Sequence, residues 1–268
     1  MAVTSKRIKD IETYKSKVKK HWEITNHGPI QWFLGFEIRR NRQSRTISIN
    51  QHAYIKSIVE KFRLTGAKCI STPIDHNAQF NIQQSPLTMN QTTRMQGVPY
   101  SEAIGSIPWP AVISHLDIAY VVSILSQFIQ NLGMAHWEGV KQVINYLSST
   151  KNLWLTFGGN KKTLIEGFCD ADWASRAHRH SISGFSFHYG LGAISWSSKK
   201  QNIIVLLSTK SEYIALTYAA KEGIWLQMFI NEMLGVDKGP LTISGNNQGS
   251  LVLAKDNKFH SRTKHIDL

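Results

Sequence analysis

Residues 164–268 constrain the fold more than any other stretch of this chain. LIEGFCDADWA, SISGFSFHYG and AISWSSKKQ are short, β-branched and aromatic, and Gly and Ser punctuate them, which reads as three strands. The string that follows, STKSEYIALTYAAKEGIWLQMFINEML, sets Tyr213, Leu216, Ala220, Ile224 and Met228 at the spacing of one helix face. PLTISGNN, from Pro240, reads as a further strand, and residues 248–255 as a short helix. Three strands, a helix, a strand and a helix make an α/β plan. Its acidic residues fall at element ends: Asp170 and Asp172 close the first strand, Glu212 sits in the first turn of the long helix, and Asp267 lies in the terminal HSRTKHIDL. Carboxylates gathered from separate elements are how proteins hold divalent cations for in-line attack on a phosphodiester.

A chain of 268 residues can bury one large core or two small ones. Its formal charge of +13 favours a polyanionic partner, nucleic acid first, although solubility accounts for part of it. Cys69 and Cys169 form no metal-spacing motif and read as free thiols in a reducing setting. The opening MAVTSKRIKD lacks the apolar core of a signal peptide, and no run is long enough to span a bilayer. The expectation is an intracellular protein, cytoplasmic or nuclear and not secreted, with no membrane partner.

Upstream, residues 6–20 interleave lysines with Ile8, Ile11, Tyr14 and Val18, a helical apolar stripe with a basic outer face that suits either a phosphate backbone or plain solvent. WFLGFEIRR and RTISINQ alternate around the polar turn 41–44, a hairpin pattern. Tyr54, Ile55, Ile58, Val59 and Phe62 line one side of a helix that Thr72-Pro73 should end. From residue 75 to 98 Gln, Asn, Thr, Ser and Pro dominate, which reads as a linker. Helices are expected over 116–130 and 135–148, separated by the stop signal Asn131-Leu132-Gly133. Ahead of them, Pro108 and Pro110 stand too close together for an unbroken helix.

The strings CDADWA, SISG, GAISWSSKKQ, STKSEYIAL, AAKEGIWL, NNQGSLVLAK and HSRTKHIDL resemble, in that order, the ribonuclease H domain of copia-type LTR-retrotransposon polyproteins. YSEAIGS, LDIAYVVSILSQFIQN and HWEGVKQVINYLSSTKNLWL resemble the segment joining polymerase to ribonuclease H, and WFLGFEIRR, QHAYIKSIVEKF and CISTPID the end of the reverse transcriptase. The resemblance implies a ribonuclease H-like mixed sheet with flanking helices, preceded by a small α+β remnant of the reverse transcriptase. The expected parts are 1–75 for that remnant, 76–98 for the linker, 99–160 for a helical connection segment and 161–268 for a C-terminally truncated ribonuclease H-like domain. The Tyr-x-Asp-Asp string that holds polymerase metals does not occur, so the chain is not expected to polymerise DNA by itself.

The activity implied is two-metal hydrolysis of the RNA strand of an RNA–DNA hybrid, with Mg²⁺ ions about 3.5–4 Å apart. Carried over by motif, Asp170 bridges the metals, Glu212 binds one of them, Asn246 stands where the third carboxylate belongs, and Asp267 is the fourth ligand. His260 is the candidate for a histidine that assists product release, with His265 beside it. Asn246 brings no charge, and its NH₂ is a donor where a metal needs a lone pair; with Asp267 so near the chain end, reduced or lost activity is expected. The alternative is a non-catalytic nucleic-acid-binding remnant, or a structural connector working with an intact reverse transcriptase. Lys199, Lys200 and Gln201 beside Trp196 suit a nucleic-acid contact, as Ser208 and Thr209 suit a phosphate at a helix start; solvated lysines at a strand end are the plainer reading. Thr209 and Glu212 also fit a capping box, Asp172 a turn residue, and His178 and His180 a solvated loop.

Overall fold

The computed structural model describes residues 2–5, 7–75, 78–159, 165–173, 180–235 and 239–255. Its first sheet is antiparallel throughout, in the order β1 (Trp32–Phe33), β2 (Phe36–Asn41), β3 (Thr46–Asn50), β4 (Leu155–Gly158). Leu34 and Gly35 both take positive φ (47° and 83°) and make the two-residue turn whose twist suits a hairpin. The next reversal is held by Asn41, whose Oδ1 accepts the backbone N–H of Gln43 (2.9 Å) and Ser44 (3.1 Å). β4 arrives from far downstream, and the Ser48 and Thr156 hydroxyls meet across the pair at 2.8 Å.

Between β3 and β4 the chain is helical: α2 (His52–Lys61), α3 (Met89–Met95), α4 (Tyr100–Ser106), α5 (Pro108–Ile113), α6 (Ala119–Leu125) and α7 (Met134–Thr150), with α1 (Ile8–Lys19) ahead of the sheet. Their apolar faces share one core that joins Ile55 and Ile58 of α2 to Ile124 of α6 and Ile144 of α7. α2 ends at Lys61, well before Thr72-Pro73, because Arg63 turns to φ 55° and the Leu64 N–H closes back on the Val59 carbonyl at 3.0 Å. The two prolines do break the helix, and the break packs well. Pro108 opens α5 at its first position, where a missing N–H costs nothing, and Ile107 at the joint is wholly buried. The stretch read as a linker also packs: it holds α3 and buries Phe80 and Met95. The 116–130 helix is interrupted, α6 lying between 3-10 turns at Leu116–Ile118 and Ser126–Phe128. α1 buries none of its residues.

The second sheet runs β7 (Gly192–Lys200), β6 (Ile182–Tyr189), β5 (Ile165–Asp172), β8 (Thr242–Gly245). β5, β6 and β7 form an antiparallel meander, and β8 joins β5 in parallel. A parallel neighbour needs a long crossover, here the 27-residue α8 (Ser208–Leu234); α9 (Gln248–Lys255) follows β8. Strands, helix, strand and helix thus occur in the order expected.

The buried face of α8 is not the one its largest apolar residues suggested. Ile214, Ala215, Ala219, Gly223, Leu226 and Ile230 turn inward, while Ile224 and Met228 remain 60% and 67% exposed. The small side chains explain it. A Cβ on Gly223 would come within 3.2 Å of the Phe187 ring, so glycine lets the helix axis approach the sheet. On the opposite face of the sheet lie α5 and α6: Trp196 of β7 donates its Nε1–H to the Ala111 carbonyl at 2.7 Å, and Ile182 of β6 joins the helical core.

Candidate active site on the second sheet

Strand register decides which side chains meet. β5 and β8 run parallel with Cys169 opposite Gly245, so the next residues, Asp170 and Asn246, emerge side by side. The Asn246 Nδ2 donates to Asp170 Oδ1 at 3.0 Å. Glu212 comes from the first turns of α8 and accepts the backbone N–H of Ala171, next to Asp170. Three residues from β5, α8 and the end of β8 therefore share one end of the sheet.

The electrostatics follow from that crowding. Burial pushes the Glu212 carboxyl above its ordinary range, the Asp170 charge pushes the same way, and the Ala171 N–H opposes both. Burial, followed by the charges of Glu212 and Asp170, lifts the Cys169 thiol to about 11; it stays neutral and is no nucleophile. Paired carboxylates without a cation between them resist ionisation, and a divalent ion would relieve that. Beside them Asn246 offers an N–H donor aimed at Asp170, where a cation would need a lone pair. Among the described residues no group of three His, Cys, Asp or Glu side chains converges on a metal position. Asp267, His260, His265 and His178 lie outside the described residues.

The capping box is absent. Leu207, with no side-chain cap, precedes α8, which leaves Thr209 inside the helix and Glu212 free to turn toward Ala171. Gln201 is corrected as well: it is 1% exposed, and its Nε2 donates to Ser183 Oγ (2.8 Å) and the Ser211 carbonyl (2.9 Å). It ties β6 and β7 to the turn of α8 that carries Glu212 and cannot touch a ligand. KKQ gave no hint of this, since the strand end looks polar throughout. Trp196 is half-buried, with its Nε1–H tied to the Ala111 carbonyl. His180 is bonded, its Nδ1 meeting the Gln201 carbonyl at 2.8 Å.

Lys199 and Ser208 are exposed, and Lys200 and Thr209 partly so. Lys200 pairs with Ile182, and Ile182 with Asp172. Directly opposed residues share a face, so Lys200 stands on the Asp170 face of the sheet, two strands or roughly 10 Å across. A groove on that face runs past Asp170, Asp172 and Ser198 and is walled by Leu116 and Tyr120 of the helical layer. That wall had no signal in the strand sequences, because it comes from residues some fifty positions earlier.

Residues 1–76 match the reverse transcriptase (RNA-dependent DNA polymerase) family. The chain is 38% identical over 259 residues, 96% of its length, to the retrovirus-related Pol polyprotein from transposon TNT 1-94 of Nicotiana tabacum. The chain belongs to the copia-type retrotransposon Pol polyproteins. A second such relative, the Pol polyprotein from transposon RE2 of Arabidopsis thaliana, is 28% identical over 94% of the chain. The chain spans only 19% and 17% of the lengths of these two polyproteins. It is also 41% identical over 133 residues, 49% of its length, to 94% of secreted RxLR effector protein 161 from Plasmopara viticola. Among the described residues of this Pol segment, no helix is long and apolar enough to cross a membrane.

Proposed function

We propose that residues 161–268 are a ribonuclease H-like domain whose ancestral reaction is hydrolysis of the RNA strand of RNA–DNA hybrids, with activity now reduced or lost. The observation that carries this reading is the Asn246–Asp170 hydrogen bond of 3.0 Å, which places an amide beside the strand carboxylate where a third carboxylate would complete an acidic set. The strand order, with β8 parallel beside β5 and α8 between β7 and β8, supports it. Asp170 and Glu212 would hold Mg²⁺, which when bound supplies positive charge beside the scissile phosphate and a more acidic water. Lys200 and Lys199 would bind phosphates at the same end of the sheet, and Gln201 would hold Glu212 in position. Residues 1–75 would be the end of the reverse transcriptase and 99–160 the connection to it.

The test is a cleavage assay on a labelled RNA–DNA hybrid with Mg²⁺. The wild-type chain should cut slowly or not at all, Asn246→Asp should raise the rate at least about tenfold by restoring charge at the ligand position, and Asp170→Asn in that background should remove it. Cleavage that survives Asp170→Asn would refute the site. A second reading, a nucleic-acid-binding remnant or a connector for an intact reverse transcriptase, is favoured by the +13 charge and by the core that α2 shares with the connection helices. It predicts hybrid binding that is independent of Mg²⁺ and falls steeply with salt. Either role places the protein in the cytoplasm or nucleus.

A further inference from the structure

The outward face of α8 carries a second, separate apolar pattern. Trp225 (55% exposed), Met228 (67%), Ile224 (60%) and Phe229 (48%) stand together in solvent, with Trp225 and Phe229 stacked at 5.4 Å and 7°. Isolated exposed apolar residues are ordinary, but a contiguous aromatic and aliphatic patch on one helix is a docking surface. Its spacing narrows the choice of occupant. Lys221, Trp225, Met228 and Glu232 recur at intervals of four, three and four, the narrow seam of two paired helices rather than the broad stripe that lies on a sheet. Lys221 and Glu232 are both exposed, and neither makes an ion pair among the described residues.

The seam is complementary to itself when reversed. Its centre falls between Leu226 and Gln227; Trp225 and Met228 lie equally far from that point, as do Lys221 and Glu232. We propose that two copies of this chain associate through α8, antiparallel about a two-fold axis at that centre. Trp225 of each copy then packs on Met228 of the other, and Lys221 of each faces Glu232 of the other, at both ends of the contact. Ile224 and Phe229 flank the seam on its two sides, where each lies near its own symmetry mate. Such an isologous contact uses one patch twice, and here the charges as well as the apolar residues match under that operation. The proposal rests on the α8 surface alone and is independent of whether the Asp170 site cuts anything.

Charge exchange in the full chain tests it, with sedimentation velocity as the readout and circular dichroism to verify folding. The wild-type chain should dimerise at micromolar concentration. Lys221→Glu alone and Glu232→Lys alone each set like charges against each other twice per dimer and should raise the dissociation constant about tenfold. An equimolar mixture of the two single variants restores two opposite-charge pairs and should recover the wild-type constant, as should the double variant. A wild-type chain that stays monomeric at 100 times that concentration, or that associates through another partner's chain only, overturns the proposal. So does self-association that either single variant leaves unchanged, or a mixture no tighter than its components.

Discussion

His136 is wholly buried and fully bonded only when neutral. Its Nδ1 accepts the Gly133 N–H at 2.9 Å, its Nε2–H donates to the Asn81 carbonyl at 3.1 Å, and Phe128 stacks on the ring at 3.9 Å. Burial holds its pKa below the ordinary value, against the smaller pull of the Asn81 carbonyl, and His115 is lowered by burial in the same direction, with Asp117 opposing. The unfolded imidazoles titrate near about 6.5, so below that pH the unfolded chain takes up protons that the folded chain refuses. Stability is complete above that pH and declines as pH falls toward the lowered folded values. Urea midpoints should therefore drop between pH 7.5 and pH 5.5. His136→Phe, which keeps the stacking, should cost about 1–3 kcal/mol at pH 7.5 through the lost hydrogen bonds and flatten that pH dependence. Residues at this scale were legible in the sequence where chemistry fixes the residue type. Asp170, Glu212 and Asn246 were picked out through the motifs that carry the family resemblance, and the strand register sets Asp170 and Asn246 side by side. Gln201 and His136 could not, because a polar side chain at the end of a strand or start of a helix looks the same whether it faces water or a buried partner.

Segment 78–98 illustrates the same limit for elements. Its polar composition reads as a tether, yet Phe80 enters the helical core, Ser85 Oγ donates to the Asn131 carbonyl at 2.6 Å, and Asn81 is bonded to His136. Gly139 of α7 makes the room, since a Cβ there would lie 2.5 Å from Phe80 Cζ. The Phe80 ring is therefore one anchor of this segment, with Met95 buried further along it. Phe80→Ala should destabilise the fold by about 3 kcal/mol and expose residues 86–98 to limited proteolysis that the wild type resists; a variant as protease-resistant as the wild type would show that the polar contacts suffice. α8 was legible as a helix because its apolar residues recur with helical spacing on every side. That same abundance hid which face the sheet would take, and the answer lay with the smallest residues, Ala215, Ala219 and Gly223, which a hydrophobicity pattern ranks last.

Across the whole molecule the two sheets are coupled through the helical layer. β4 closes the first sheet from beyond the helices, Ile182 of the second sheet sits in the helical core, and the Trp196 indole reaches Ala111. Unfolding in urea, followed by far-ultraviolet circular dichroism and by tryptophan fluorescence, should give coincident single transitions at pH 7.5; two separated transitions would mean that the sheets fold independently. None of this coupling is legible in the sequence, where β4 is four residues, Leu155–Gly158, with no feature to name its partner. The return of β4 to β3 also bears on what a shortened chain would do. A chain shortened from its start past Asn50 would keep β4 without the strand that satisfies its amides, and the bare ribbon would then seek the backbone of a neighbouring molecule. Loss of the first fifty residues would thus turn a closed sheet into a self-templating edge.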